Sequence, residues 1–128
     1  MLARYFKKEP ETFEFSQKNN LEQRKEFSKK LIFKYPDCIP VIIKKNKNDK
    51  ILQDIDKNRY LIPKNLNMSE VIYIIRNRIK IESKCALFIF VGNGTLVPSN
   101  YSIKEVYDNY KNEDGFLYII YTAENTFG

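Results

Sequence analysis

The side chains best suited to covalent chemistry are two cysteines, Cys38 and Cys85, which lie far apart in the sequence. They form no CxxC motif of the kind that binds metals or exchanges disulfides, and we expect two reduced thiols. The chain contains no histidine, which excludes Ser–His and Cys–His nucleophile pairs and histidine-ligated metals. No glycine loop that could cradle a phosphate occurs either. We therefore expect no catalytic residues, no metal and no cofactor, and an enzyme is the weakest interpretation.

The charge balance favours acidic partners. The formal net charge is +6 and the sequence pI is about 9.2, which suits anionic lipid, acidic peptides or nucleic acid. The lysines are scattered along the chain, and no RNP-like or GXXG signature of an RNA-binding domain is present. A basic nucleic-acid-binding module therefore stays open as an alternative, but we expect no nucleic-acid partner.

Length and composition indicate one globular domain. The 128 residues suffice for a single domain with a core, and 43% of them are hydrophobic while 30% are charged. No run of about 18 apolar residues predicts a membrane-spanning helix. The first fifteen residues mix charged and aromatic side chains and lack the apolar core of a secretory signal. These features favour a cytosolic protein.

The first half of the chain predicts helix followed by a hairpin. Apolar positions at helical spacing precede Pro36, which ends the helix, and a further short helix is predicted over residues 11–18. Residues 39–45 are β-branched and predict a strand, and residues 59–62 predict its partner, with Pro63 at the end. The polar residues 44–50 read as a loop.

The second half predicts two capped helices and two strands. Asn67-x-x-Glu70 and Ser102-x-x-Glu105 are capping boxes before apolar-periodic runs. Residues 87–91 predict a buried strand ended by a glycine-rich turn, and residues 116–121 predict the last strand. The resulting core order, β-β-α-β-α-β, is that of a β-grasp domain with an N-terminal helical extension.

Several segments, in this order and spacing, resemble the autophagy-related protein eight family, which includes the GABA-receptor-associated and light-chain-three types. The segments are KYPDCIPVII at 34–43, DIDKNRYLIP at 54–63, IIRNRI at 74–79, KCALFIFVGN at 84–93, EDGFLYIIY at 113–121 and ENTFG at 124–128. The resemblance covers residues 21–128. It implies an α+β, ubiquitin-like β-grasp with a four-stranded mixed sheet and two additional N-terminal helices. The expected division is a helical extension at 1–34, the core at 35–122 and a conjugation tail at 123–128.

The resemblance also implies covalent attachment to lipid. Family members are joined through a C-terminal glycine, here Gly128, to phosphatidylethanolamine, and Thr126 and Phe127 match the residues that processing and conjugating enzymes recognise. The implied partners are an activating enzyme, a conjugating enzyme, a ligase complex and a processing and deconjugating cysteine protease. The implied location is the cytoplasm and, after lipidation, the membrane of autophagosomes and other cytoplasmic vesicles. A scaffold that binds peptides without lipidation is the alternative.

A peptide-binding groove is the second implied site. Family members bind cargo receptors whose short motifs carry an aromatic and an aliphatic residue three apart, as an added strand with two pockets. The matching aromatic-pocket positions are Phe27, Leu31, Pro40, Lys57, Leu61 and Phe116. The matching aliphatic-pocket positions are Tyr60, Ile62, Pro63, Leu66, Val71 and Ile74. Alternation along the strand predicts that Tyr60 and Ile62 share one side of the sheet and Arg59 and Leu61 the other.

Charged and apolar positions complete the implied surface. The cations that match those facing acidic residues beside the motif are Lys57, Arg59 and Arg78. A possible second binding surface comprises Leu87, Phe88, Ile89 and Phe90, which core packing would explain equally well. Cys38 stands where the family usually has an arginine, which removes one cation beside the groove and is expected to weaken the preference for acidic motifs.

Overall fold

Six strands form one mixed sheet in the structure, a computed structural model that describes residues 4–5, 19–92 and 94–123. The strands are β1 (Arg4–Tyr5), β2 (Cys38–Lys45), β3 (Arg59–Pro63), β4 (Phe88–Val91), β5 (Thr95–Leu96) and β6 (Leu117–Thr122). They lie in the order β1-β3-β2-β6-β4-β5. The four central strands are those that the sequence predicts. The two-residue strands at the edges are additional, because segments so short carry no alternating pattern.

The pairing explains why the sheet is mixed. β2 and β3 form an antiparallel hairpin in which Val41 lies opposite Tyr60. β6 pairs parallel with β2, with Leu117 opposite Val41, and antiparallel with β4. The first and last of the four long strands are therefore neighbours at the centre of the sheet, which is the topology of a ubiquitin-like β-grasp.

Three helices pack on the sheet in the described part of the chain: α1 (Leu21–Lys34), α2 (Met68–Ile79) and α3 (Ile103–Tyr110). Each begins with a capping box, formed by Asn20 with Gln23, Asn67 with Glu70, and Ser102 with Glu105. The side chain of the cap residue accepts a hydrogen bond from the backbone N–H three residues later. The side chain of that later residue accepts a hydrogen bond from the backbone N–H of the cap residue. The boxes at Asn67 and Ser102 confirm the predicted helix starts.

The sheet separates two hydrophobic clusters. Tyr60 and Ile62 lie in the larger one, together with apolar residues of α2 and α3, whereas Leu61 lies in the smaller one with Leu31 of α1. This confirms the predicted alternation along β3, since successive residues of a strand face opposite sides. β3 therefore contributes to both sides of the sheet.

A buried carboxylate holds α1 against the sheet. The Nε of Arg24 lies 2.8 Å from Oδ2 of Asp114, and the same oxygen accepts a hydrogen bond of 2.6 Å from the Tyr118 hydroxyl. Ser28 donates through its hydroxyl to the carbonyl of Asp114 at 2.6 Å. Burial, and secondly the hydrogen bond to Asp114, raise the pKa of Tyr118, so the phenol stays protonated as a donor.

The predicted helix over residues 11–18 lies outside the described residues. Among the helices that the structure describes, none combines the length and hydropathy needed to cross a membrane.

Candidate functional site

The positions predicted for the aromatic pocket gather beside α1. Leu31, Leu61 and Phe116 are buried together, and Phe27 packs on them with its ring 6.1 Å from that of Phe116 in an edge-on arrangement. Pro40 is also buried and lies opposite Leu61 in the β2–β3 pairing. Phe27 alone of these five apolar side chains keeps substantial exposure. A motif side chain on this side of β3 would therefore meet Phe27 first, above a preformed apolar floor.

Lys57, the sixth of these positions, lies in the loop just before β3 and is half-buried. It is the charged member among the predicted aromatic-pocket residues.

The positions predicted for the aliphatic pocket lie mainly in the larger core. Tyr60, Ile62, Leu66 and Val71 are buried there, and Ile74 packs against the same cluster while keeping partial exposure. Pro63, at the end of β3, is also half-exposed. Ile74 is thus the member of this cluster that an incoming side chain could contact directly, whereas Pro63 lies opposite Cys38, which packs on the smaller cluster.

The three predicted cations differ in their surroundings. Arg59 is 6% exposed, and its guanidinium lies 5.6 Å from the centre of the Phe27 ring. Arg78 is half-buried, with Nη1 3.3 Å from Oδ2 of Asp56 and its guanidinium 5.8 Å from the Tyr60 ring. Arg59 is therefore placed to support the aromatic cluster, whereas Lys57 and Arg78 remain in contact with solvent.

The edges of β3 decide where a peptide strand could add. One edge pairs with β2 along the whole hairpin. The other edge faces outwards and pairs with β1, with Tyr60 opposite Tyr5 and Leu61 opposite Arg4. The two residues that pair with β1 are therefore Leu61, a predicted member of the aromatic pocket, and Tyr60, a predicted member of the aliphatic pocket.

The predicted second surface is only partly accessible. Leu87 and Phe88 are half-buried, whereas Ile89 and Phe90 are buried, and Ile89 belongs to the larger core cluster. Leu87 and Phe88 are thus the members that a partner could reach.

The predicted conjugation residues Thr126, Phe127 and Gly128 lie outside the described residues. The last described residue, Ala123, marks the base of the tail. Its backbone N–H donates to Oδ2 of Asp49 at 2.6 Å, and the hydroxyl of Thr122 donates to the same oxygen at 2.8 Å. The long hairpin loop between β2 and β3 therefore holds the end of β6 and the residue that follows it.

Sequence reasoning missed the role of Asp49, which lies in the stretch read only as a polar loop. Its Oδ1 accepts from the backbone N–H groups of Ile51 and Leu52, each at 2.8 Å. An aspartate that caps the backbone two and three residues later is a turn signal readable from sequence, but its contact with Thr122 is long-range and is not.

The Asp49 carboxylate remains charged despite its burial. Burial alone would raise its pKa, but the hydrogen bonds from Ala123, Leu52, Thr122 and Ile51 outweigh this effect and lower the pKa from 3.8 to about 2.

Cys38 and Cys85 are free thiols and half-buried. Within the described ranges, no three His, Cys, Asp or Glu side chains are grouped so as to hold a metal ion.

Comparison with known proteins identifies the family to which the chain belongs. The family described as autophagy protein Atg8, ubiquitin like, matches residues 23–128. Autophagy-related protein 8e of Arabidopsis thaliana is 45% identical over 114 residues, which cover 89% of this chain and 92% of the relative. Autophagy-related protein 8 of Scheffersomyces stipitis is 41% identical over 115 residues, or 90% of this chain and 81% of the relative.

A solved structure shows the same fold. The crystal structure of Trypanosoma brucei ATG8 superposes with a TM-score of 0.79 at 29% sequence identity, covering 88% of this chain and 95% of that one. The chain therefore belongs to the Atg8 family of ubiquitin-like autophagy proteins, which act as modifiers and adaptors rather than as enzymes.

Proposed function

We propose that this protein is conjugated through Gly128 to phosphatidylethanolamine and then presents the β3 edge to short aromatic-x-x-aliphatic motifs of cargo receptors and autophagy machinery. The observation that carries the proposal is a family match that extends to the terminal residue, over residues 23–128. The partners are the activating and conjugating enzymes, the ligase complex and the cysteine protease of the autophagy conjugation system. Conjugation moves the protein from the cytoplasm to the membrane of autophagosomes and other cytoplasmic vesicles.

The tail suits this chemistry. The Gly128 carboxyl group is activated with ATP, passes as a thioester from one enzyme cysteine to the next, and finally forms an amide with the lipid amine. Glycine has no side chain to obstruct a narrow active-site channel. The residues after Ala123 extend about 17 Å when fully stretched, so Gly128 can enter such a channel while the domain stays outside. Phe127 supplies an apolar handle beside it.

Lipid attachment would hold the domain firmly at a membrane. Each buried CH₂ group contributes about 0.8 kcal/mol, and two acyl chains anchor a protein far more stably than one. The net charge of +6 adds attraction to anionic headgroups. The conjugated protein would then display its docking edge on the surface of that membrane.

Docking at β3 would combine backbone pairing with side-chain recognition. A peptide that adds as a strand gains main-chain hydrogen bonds from the edge, and its alternate residues reach opposite sides of the sheet. The Phe27 side offers an aromatic floor, and the opposite side, with Tyr60, Ile62 and the partly exposed Ile74, offers an apolar wall. Lys57 and Arg78 favour acidic residues beside the motif.

Lipidation is tested in vitro with family activating and conjugating enzymes, ATP and liposomes that contain phosphatidylethanolamine. We expect membrane flotation and a mass increase equal to one lipid, both absent from Gly128→Ala. A known family member serves as the positive control. If that member reacts and this protein does not, while peptide docking is intact, the scaffold without lipidation is the better account.

Docking is tested by titrating isotope-labelled protein with a synthetic peptide that carries the motif and acidic flanks. We expect the largest amide shift changes at residues 59–62 and little change at residues 95–96 on the far edge. A matched peptide with alanine at both motif positions should not bind. Equal binding of both peptides, or changes centred away from β3, would refute docking at this edge.

A further inference from the structure

The outer edge of β3 is already occupied by the chain itself. β1, residues Arg4–Tyr5, pairs antiparallel with β3, so that Arg4 lies opposite Leu61 and Tyr5 opposite Tyr60. The opposite edge of β3 pairs with β2. Backbone groups at the centre of β3 therefore have strand neighbours on both sides.

This pairing concerns the edge to which motif peptides are proposed to add. A strand has two hydrogen-bonding edges, and an extended peptide needs one that is vacant. Leu61 and Tyr60 are the residues at which the two predicted pockets meet β3. A peptide that extends the sheet at these residues and β1 cannot be there together.

We propose that Arg4–Tyr5 is a built-in competitor that a motif peptide must displace from β3, so that the N-terminal segment sets the affinity of the docking edge. This inference rests on the proposed docking function. The occupant is an extended backbone segment of the same class as the incoming ligand, which is why the two exclude one another. The partner that fits this edge is accordingly one that supplies more than two residues of extended chain.

The extent of the pairing makes the competitor displaceable. β1 covers two residues of β3, which is five residues long. A motif peptide can pair along more of the strand and fill pockets on both sides, so it gains contacts that β1 pairing alone does not supply. β1 compensates by belonging to the same chain as β3, because covalent tethering gives effective concentrations on the order of millimolar.

The size of the effect follows from the occupied fraction. The apparent dissociation constant equals the intrinsic value divided by the fraction of molecules with a vacant edge. If β1 occupies the edge in about nine molecules of ten, its removal tightens peptide binding about tenfold. Removal of β1 also raises the association rate, because more of the protein molecules that a peptide meets have a vacant β3 edge.

The test uses the full chain with Arg4→Pro/Tyr5→Pro. In an antiparallel pair, hydrogen-bonded and non-bonded positions alternate, so proline at both positions removes the donor whichever residue carries the bond. Arg4→Lys/Tyr5→Phe is the matched control, because it keeps both backbone N–H groups. The probe is a synthetic aromatic-x-x-aliphatic peptide with acidic flanks, and light scattering verifies that each variant stays monomeric.

We expect the proline variant to bind this peptide about fivefold to tenfold more tightly than wild type, and the control to bind like wild type. Nuclear Overhauser contacts between residues 4–5 and 60–61 should be present in the free wild-type protein and disappear when peptide saturates it. Unchanged affinity of the proline variant, or contacts that persist at saturation, would overturn the proposal and leave docking itself intact. Absence of peptide binding by every variant would instead refute the docking function, and this proposal with it.

Discussion

Asp49 and Ala123 are joined by a hydrogen bond of 2.6 Å, from the backbone N–H of Ala123 to Oδ2 of Asp49, across 74 residues of sequence. The bond connects the loop of the β2–β3 hairpin to the end of β6. It fixes the residue that follows β6, at the start of the predicted conjugation tail. The carboxylate is buried and accepts four hydrogen bonds, two on each oxygen.

Asp49→Asn should therefore destabilise the domain. The amide keeps one acceptor oxygen but turns an NH₂ group towards donors that formerly met Oδ2 or Oδ1, so two hydrogen bonds are lost. We expect the free energy of unfolding to fall by about 2 to 4 kcal/mol, measured by urea denaturation. Asp54→Asn is the control, because the Asp54 side chain is 84% exposed in the same loop and its replacement should cost less than about 0.5 kcal/mol.

The same carboxylate predicts a pH dependence. Its folded-state pKa of about 2 lies below the ordinary 3.8, so the folded state binds this proton less readily than the unfolded state. The stabilisation is complete above about pH 4 and is lost as the pH falls towards 2, a contribution of about 2 kcal/mol. Urea titrations across this interval should show a steeper loss for wild type than for Asp49→Asn. Parallel curves would contradict this role for Asp49.

Arg24→Ala should loosen the attachment of α1. The substitution leaves the Asp114 carboxylate, whose side chain is 0% exposed, without its cation. The hydrogen bonds from Tyr118 and from the Phe116 backbone N–H remain, so we expect a loss of about 3 kcal/mol rather than unfolding. Lys29→Ala, on the exposed side of the same helix, is the matched control and should change stability by less than about 0.5 kcal/mol. Equal effects of the two substitutions would refute a special role for the ion pair.

Gly115 allows α1 to approach β6 closely. Its φ is +92°, and a Cβ there would collide with the Ser28 hydroxyl and lie 3.0 Å from Ser28 Cβ. Ser28 cannot easily turn aside, because its hydroxyl donates to the Asp114 carbonyl at 2.6 Å. Gly115→Ala should cost about 2 to 4 kcal/mol in thermal or urea unfolding.

Gly92→Ala is the control for Gly115, since it has a φ of +57° but its Cβ would meet Tyr110 at an ordinary 3.5 Å. Only the backbone cost of about 1 kcal/mol is expected there. A loss at Gly115 no larger than that at Gly92 would show that the approach of Ser28 is unimportant.

The sequence predicts the regular elements well because their signals are local. The β-branched run that became β2 and the capping boxes at Asn67 and Ser102 each lie within a few residues. Asn20-x-x-Gln23 has the same form and also caps a helix, so this helix start too is readable from a local pattern. β1 escaped prediction because two residues carry no alternation, and its pairing with β3 is long-range.

The site was harder to predict than the fold, because burial depends on packing between distant segments. The matched pocket positions include Tyr60, Val71 and Phe116, each of which is 0% exposed. Sequence alone does not separate such buried residues from Phe27 or Ile74 at the surface. The burial of Arg59 likewise follows from the position of Phe27 on α1, which a strand pattern does not reveal.

Arg59 and Lys57 should therefore respond differently to the loss of charge. Arg59→Gln removes a guanidinium that is 6% exposed and lies over the Phe27 ring, so we expect a loss of stability of about 1 to 2 kcal/mol. Lys57→Gln, at a half-exposed loop position, should leave stability within about 0.5 kcal/mol. It should slow association of a peptide with acidic flanks and weaken the salt dependence of that rate, because exposed charges act mainly on encounter.

Two measurements on both variants separate these roles: urea unfolding, and stopped-flow association of the peptide at low and high salt. We expect a loss of stability only in Arg59→Gln. In Lys57→Gln we expect slower peptide association at low salt and little change at high salt. Arg59→Gln with wild-type stability, slower association at low salt and a weaker salt dependence of that rate would show that Arg59 meets acidic flanks directly, as the sequence pattern predicts. The burial of Arg59 against Phe27 argues for the first outcome, since a cation that supports the aromatic floor is not available to the ligand.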